Sequence, residues 1–376
     1  MWKKVIGMKK VNFNQLDRGY LKYKNEYDRA AINVLESGWY VMGEQGKMFE
    51  NEFADFLGSK YCVGLNSGLD ALILSFRALD IGEGDEVIVP ANTYIASVLG
   101  ITENRATPVF VDPDDFYNID SDKIEENITS RTKAILVVHL YGQAANMNNI
   151  KIIADKYNLF LIEDCAQSHG ACFDKKMTGT WGHIGCFSFY PTKNIGAFGD
   201  SGAIVTDNEE IYEKIKMLRN YGSKVKYQNE ILGVNSRLDE IQASLLLVKL
   251  KHYNELIEER RYIANRYLRE ITNNYIKLPS IRADAEHVWH LFIIQTEYRD
   301  RLYKYFKERG IDTQIHYPIP PHLSKAYNYL GYKQYDFPIT EKYASSVLSL
   351  PLFEGMRDDE LEYVIETINR FEAKIE

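Results

Sequence analysis

The sequence predicts an α/β protein, with a mainly parallel central sheet wrapped by helices and a smaller α+β region after it. Three observations carry this reading. Strand-like and helix-like segments alternate through the first half of the 376 residues. Several of the strand-like segments are uninterrupted β-branched and aliphatic runs, the pattern of strands covered on both faces. After residue 236 the texture changes to long helical stretches and then to shorter mixed elements. The length suits a large core and two domains. The expected division is a large domain over 1–250 and a small C-terminal domain over 251–376.

The candidate strands are DEVIVP (85–90), TPVFVD (107–112), KAILVVHLYG (133–142), LFLIEDCA (159–166), GCFSFY (185–190) and GAIVTD (202–207). Helical stretches fall between several of them. NSGLDALILSFRALDI sets Leu69, Leu72, Ile73, Phe76 and Leu79 at helical spacing, with Ser67 available as N-cap. NNIKIIADKYN reads as a short amphipathic helix. Such alternation argues for a mainly parallel sheet. RLDEIQASLLLVKLKHYNELIEERRYIANRYLREI reads as one long helix or two in line, with Leu238, Ile241, Leu245 and Val248 keeping one face apolar. Beyond it HVWHLFIIQ reads as a strand and DRLYKYFKERG as a helix ending at Gly310. IHYPIPPHL (315–323) holds three prolines and reads as a rigid non-helical loop.

Hydrophobic content of 45% and charged content of 26% are ordinary for a globular chain. A net charge of −8 argues against a nucleic-acid coat or a basic membrane binder, while leaving room for a locally positive pocket. The 27 tyrosines suit sugar or ring binding, although most serve packing. The four cysteines form no Cys-x-x-Cys pair. MWKKVIGMKK has no secretory pattern, and no apolar stretch approaches the roughly 20 residues of a membrane helix. A reduced, cytoplasmic protein is the expectation, and Met8 is a candidate start. Cys165, His169 and Cys172 have a spacing that mimics a zinc site, but no fourth ligand lies nearby, so no metal is expected.

The chemistry concentrates at Lys193 and Asp164. Asp164 ends an apolar run and belongs at the C-terminal edge of a central strand, where open α/β sheets bind ligands. Lys193 stands just past the end of another strand. Alone, the two read as a plain salt bridge. Pyridoxal phosphate gives them a second reading. It needs a lysine for its aldehyde and a carboxylate for its ring nitrogen. It also needs a helix N-terminus with small hydroxyl residues for its phosphate and a flat side chain against its ring. Lys193, Asp164, Ser67-Gly68-Leu69 and Tyr94 offer these in turn, and Ser188 offers a further hydroxyl. Singly, Ser67 reads as an N-cap, Tyr94 as core and His322 as loop packing.

NSGLDAL, PANTYIAS, EDCAQSHGA, FSFYPTKN, NSRLDEIQA and IHYPIPPHL occur in this order and span nearly the whole chain. Together they resemble the DegT/StrS-type sugar aminotransferases, pyridoxal-phosphate enzymes of fold type I that act on nucleotide-linked keto-sugars. The resemblance implies that Lys193 binds the cofactor covalently and that Asp164 pairs with its ring nitrogen. It implies a contact from Gln167 to the phenolic oxygen and stacking by Tyr94. Phosphate contacts fall on Ser67, Gly68 and Ser188, with Asn235 reaching the phosphate of a neighbouring subunit in a homodimer. Many relatives carry Ser-Gly-Thr where this chain has Ser67-Gly68-Leu69. Leu69 has no hydroxyl, so the phosphate must lean on backbone N–H groups, Ser67 and Ser188. The Gly-Leu-Asp-Ala-Leu form resembles the subgroup that aminates C3 of dTDP-3-keto-6-deoxyhexoses, with L-glutamate as donor. In that subgroup Tyr190, His316 and Tyr317 would contact the sugar. The product would serve a surface polysaccharide, such as a lipopolysaccharide O-antigen, or a glycosylated metabolite.

Other functions remain open at this stage. One is amination at C4 of a 4-keto-6-deoxyhexose. Another is a dehydratase on the same fold, whose members carry histidine where Lys193 stands. A desulfurase would want an exposed cysteine on a mobile loop. A non-catalytic regulator that binds cofactor or sugar nucleotide is the reading from a different class. No DNA-binding motif or basic patch supports it.

Overall fold

The computed structural model describes residues 9–373; the Met8 start falls outside them. Its strands in chain order are β1 (Tyr61–Leu65), β2 (Glu86–Pro90), β3 (Thr107–Val111), β4 (Thr132–Val138), β5 (Phe160–Asp164), β6 (Cys172–Phe173), β7 (Lys176–Met177), β8 (Ile184–Ser188), β9 (Gly202–Thr206), β10 (Ser223–Val225), β11 (Gln228–Asn229), β12 (Ala285–Glu286), β13 (Phe292–Gln295) and β14 (Val347–Leu350). Seven of them form the main sheet in the order β1-β9-β8-β5-β4-β2-β3. Only β9 runs antiparallel to its neighbours. The other pairs are parallel, and β5 lies in the middle.

Strand alternation sends side chains to opposite faces of this sheet. Val87, Val89, Leu136, Ile162 and Ile204 point to one face. There they pack against α4 (Gly68–Ala78), α5 (Ile95–Thr102) and α7 (Glu209–Leu218). Ile88, Ile135, Val137 and Leu161 point to the other, against α6 (Met147–Lys156). Further along that face, Phe187, Ala203 and Val205 meet α3 (Glu44–Leu57) and α8 (Glu240–Lys251). Double coverage explains why these strands read as continuous apolar runs. A second sheet, β13 paired with β14, packs with α9 (Tyr253–Glu270), α10 (Arg299–Lys307) and α12 (Asp358–Asn369) around Tyr267, Phe292 and Phe306.

One carboxylate ties two helix starts together. The N-cap of α3, Gly43, has no side chain to cap the helix. Glu240, in the first turn of α8, supplies the acceptor instead. It takes hydrogen bonds from the N–H groups of Gly43 at 2.8 Å, Gln45 at 2.8 Å and Gly46 at 2.9 Å. A negative charge suits both helix N-termini.

Several elements differ from their sequence reading. The strand expected over 133–142 stops at Val138, because His139 turns inward and Tyr141 takes a left-handed φ of 61°. HVWHLFIIQ is a strand only from Phe292, because Trp289 has a φ of 48°. The long helical stretch is two helices broken at His252. In α8, Ala243 and Leu246 are fully buried, while Ile241 and Val248 are only half-buried, since the helix is covered on more than one side. The proline loop contains a short 3-10 turn over Pro321–Leu323. No helix among the described residues is long and apolar enough to cross a membrane.

Candidate active site

A cavity of about 610 Å3 opens at the C-terminal ends of the parallel strands. Asp164, the last residue of β5, is buried against it. Its Oδ2 accepts a hydrogen bond from Ser97 Oγ at 2.7 Å, and its Oδ1 accepts one from the Ala166 N–H at 3.1 Å. Burial raises the Asp164 pKa above the ordinary carboxylate range. Ser97, then Ala166 and then the Lys193 charge pull it back.

Lys193 follows the last residue of β8 by five positions. A tight turn presents it, with its N–H on the Tyr190 carbonyl at 2.8 Å. The turn needs glycine at 196, where a Cβ would sit 2.4 Å from the Pro191 carbonyl oxygen. The lysine keeps partial access to the cavity, but its amine is enclosed by protein. Burial pushes that amine down to about 8, against the opposing pull of Asp164. Asp164 acts on it through charge, without a hydrogen bond, so the two are not a salt bridge.

The third component is the start of α4. Ser67 caps it, its Oγ accepting the Asp70 N–H at 3.0 Å. The N–H groups of Gly68 and Leu69 have no intrahelical acceptor and lie at the positive end of the helix dipole. A Cβ on Gly68 would meet Ser188 Cβ at 2.4 Å, so glycine lets the helix start pack onto the end of β8. Two hydroxyls and two N–H groups thereby share one wall, a fitting cradle for an anion. Leu69 offers only its backbone there.

Gln167 is buried and held on both sides. Its Oε1 accepts the Tyr141 N–H at 2.7 Å, and its Nε2 donates to Tyr317 Oη at 3.0 Å. Tyr94 is 52% exposed, with its ring 5.2 Å from that of Tyr317. Tyr190 is likewise half-exposed at the cavity edge. His316 Nδ1 bonds Ser349 Oγ at 2.7 Å; burial, reinforced by the Lys193 charge, pushes its imidazole down to about 4. His322 is buried beside Phe337, as the loop-packing reading expects.

Eleven of the twelve sequence-predicted residues line this one cavity: Ser67, Gly68, Leu69, Tyr94, Asp164, Gln167, Ser188, Tyr190, Lys193, His316 and Tyr317. Asn235 does not. It is exposed, on a segment bridged to Asn220. Sequence reasoning missed Thr93, Ser97 and His290, which also line the cavity. His290 carries no local pattern that marks it. Thr93 and Ser97 lie within PANTYIAS, but nothing local sets their hydroxyls apart from the many others in the chain.

The donor set fits pyridoxal phosphate: an enclosed amine of lowered pKa, a buried carboxylate, a helix start with hydroxyls and exposed aromatic faces share one cavity. The zinc-like spacing of Cys165, His169 and Cys172 does not become a ligand cluster. Among the described residues the grouping with suitable atoms is His139, Glu163 and Cys165. There Glu163 is already fully engaged. It accepts from His139 Nε2 at 2.9 Å and from the N–H groups of Gly179, Trp181 and Gly182, each at 2.7 Å. All four cysteines are buried, which removes the exposed thiol a desulfurase needs.

Comparison with known proteins identifies the family. The sequence pattern of the DegT/DnrJ/EryC1/StrS aminotransferase family matches residues 22–369. A dTDP-3-amino-3,6-dideoxy-alpha-D-galactopyranose transaminase of Aneurinibacillus thermoaerophilus is 52% identical, over 96% of this chain and 99% of that protein. The crystal structure of DesV from S. venezuelae, in complex with a ketimine intermediate, superposes with a TM-score of 0.95 at 43% identity, over 98% of this chain and 100% of that one. NtdA from Bacillus subtilis, with bound cofactor PMP, superposes with a TM-score of 0.88 at 34% identity, over 98% of this chain and 86% of that one.

Proposed function

The chain belongs to the DegT/DnrJ/EryC1/StrS aminotransferase family, of fold type I, and from that premise we propose the reaction it performs. It moves the amino group of L-glutamate to C3 of a dTDP-linked 3-keto-6-deoxyhexose, using pyridoxal 5′-phosphate held at Lys193. The product is a dTDP-3-amino-3,6-dideoxyhexose. The convergence of Lys193, Asp164 and the α4 start on one cavity carries the cofactor reading. The likeness to the Aneurinibacillus transaminase supports C3 over C4.

When bound, pyridoxal phosphate supplies an electron-poor ring that takes up the electron pair left when the C–H bond beside the amine breaks. The protein does the rest. The Gly68 and Leu69 N–H groups, Ser67 and Ser188 bind the phosphate. Asp164 keeps a proton on the ring nitrogen, and Gln167 donates toward the phenolic oxygen. Tyr94 covers the ring face. Lys193, once its amine is free, takes the proton from the donor Cα. Its lowered pKa suits that task, since a base works best with a pKa near the operating pH. Tyr190, His316 and Tyr317 contact the sugar. Asn235, exposed and outside its own cavity, serves the phosphate of the partner site in a homodimer.

The test is the absorbance of the purified protein before and after L-glutamate. A yellow band that bleaches, and that a 3-keto sugar nucleotide restores, is the expected result. NMR of the product would place the nitrogen at C3. Nitrogen at C4 would overturn the regiochemistry, and a protein that stays colourless with added pyridoxal phosphate would overturn the reading as a whole.

A further inference from the structure

Behind Asp164 lies a chain of hydroxyls that the reaction scheme above does not use. Ser97 Oγ donates to Asp164 Oδ2 at 2.7 Å. Thr93 Oγ1 stands 2.7 Å from Ser97 Oγ. Thr93 is 2% exposed and Ser97 is fully buried. A hydroxyl has one proton. With the Ser97 proton on the carboxylate, Thr93 must donate in the second bond, so both dipoles point toward Asp164. Such a chain polarises in one direction and strengthens its last member.

We propose that Ser97, oriented by Thr93, is a positioning residue that keeps Asp164 ionised and aimed for a ring nitrogen in the cavity. The inference rests on the pyridoxal-phosphate reading. The need for such a residue follows from burial. Asp164 is buried among Ala166, Val138 and the Lys193 loop, and an isolated carboxylate there drifts toward its neutral form. A neutral carboxyl cannot hold a proton on a pyridine. Lys193 is too weak a counter-charge to settle the matter, because it makes no hydrogen bond to Asp164. Ser97 comes first among the groups that pull Asp164 back toward ionisation. Ser97 is itself fully buried, so its hydroxyl proton is committed to the carboxylate rather than shared with solvent.

The test separates this role from simple packing. Pyridoxal phosphate and its 1-deaza analogue, which has C–H in place of the ring nitrogen, are titrated into the full-length unloaded protein. The wild type should prefer the natural cofactor. Ser97→Ala should shrink that preference about ten-fold, the factor that corresponds to 1.4 kcal/mol, while leaving affinity for the analogue nearly unchanged. Ser97→Thr should restore the preference. Thr93→Val, nearly isosteric, should shrink it by a smaller factor, and it decides the matter if Ser97→Ala does not fold. An unchanged preference overturns the proposal. An equal loss for both ligands also overturns it, since that is a packing effect. A wild type that binds neither ligand refutes the cofactor reading itself, and this inference with it.

Discussion

Gly68→Ala tests the phosphate cradle most directly. A methyl at position 68 would stand 2.4 Å from Ser188 Cβ and 2.9 Å from Ser188 Cα. Ordinary contact begins at 3.4 Å, so the α4 start and the end of β8 must separate by about 1 Å. Two effects compete. Alanine is favoured over glycine in a helix by roughly 0.5–1 kcal/mol. Overpacking against a backbone that cannot retreat costs about 1–3 kcal/mol. The second should win, and the urea midpoint should fall. A shift of 1 Å also breaks at least one of the charge-assisted bonds that converge on the phosphate, worth about 1.5–3 kcal/mol. Affinity for pyridoxal phosphate should therefore drop about ten-fold to a hundred-fold. Affinity for pyridoxal, which lacks the phosphate, should change far less. The assay is an absorbance titration of the unloaded protein with each compound. Wild-type affinity at unchanged stability would mean the close approach is no constraint. An equal loss for both compounds would remove the phosphate from this wall.

Covalent uptake of pyridoxal phosphate needs the neutral Lys193 amine. With that amine at about 8, on the order of a tenth is neutral at pH 7. The stopped-flow uptake rate should climb from pH 6 and level off above pH 8; a flat profile sinks the assignment. Burial pushes His169 and His287 down to about 3. Both lie below the free imidazole value of about 6.5, so the unfolded chain binds the extra protons and acid favours it. Their contribution is intact above about pH 6.5 and fades by about 1.4 kcal/mol per histidine per pH unit below it. Urea unfolding at pH 7, 6 and 5 checks this, and equal stabilities would contradict it. Glu240→Ala leaves three N–H groups at the α3 start without their acceptor. It should cost about 3 kcal/mol or more in urea unfolding, and a loss under 1 kcal/mol would show that water replaces the carboxylate.

Much of the sheet is legible because double burial writes itself as apolar runs: β2, β3, β5 and β9 each lie within a strand read from sequence, and β4 and β8 each start one residue before theirs. β1 was not read. The apolar run of YCVGL is interrupted at Gly64, which exists for a reason the sequence hides: a Cβ there would strike Leu238 at 2.8 Å. The overrun past Val138 has a similar origin, since a backbone turn at Tyr141 leaves no mark on hydrophobicity. Asp164 and Lys193 are legible because they end or follow a recognisable strand, and Ser67 because it opens a recognisable helix. Ser97 was not, because its importance depends on Asp164, a partner 67 positions away. The break at His252 was left open by the sequence for want of a proline or glycine at that point.

Asn235 is exposed and does not line the cavity of its own protomer, and this has a genetic consequence. Under its proposed role each catalytic centre is a composite of two chains. Pair a subunit carrying Lys193→Ala with one carrying Asn235→Ala. One centre then holds both lesions and the other holds neither. Two defective parents would yield a hybrid with one wild-type centre, so co-expressed alleles could complement each other where neither works alone.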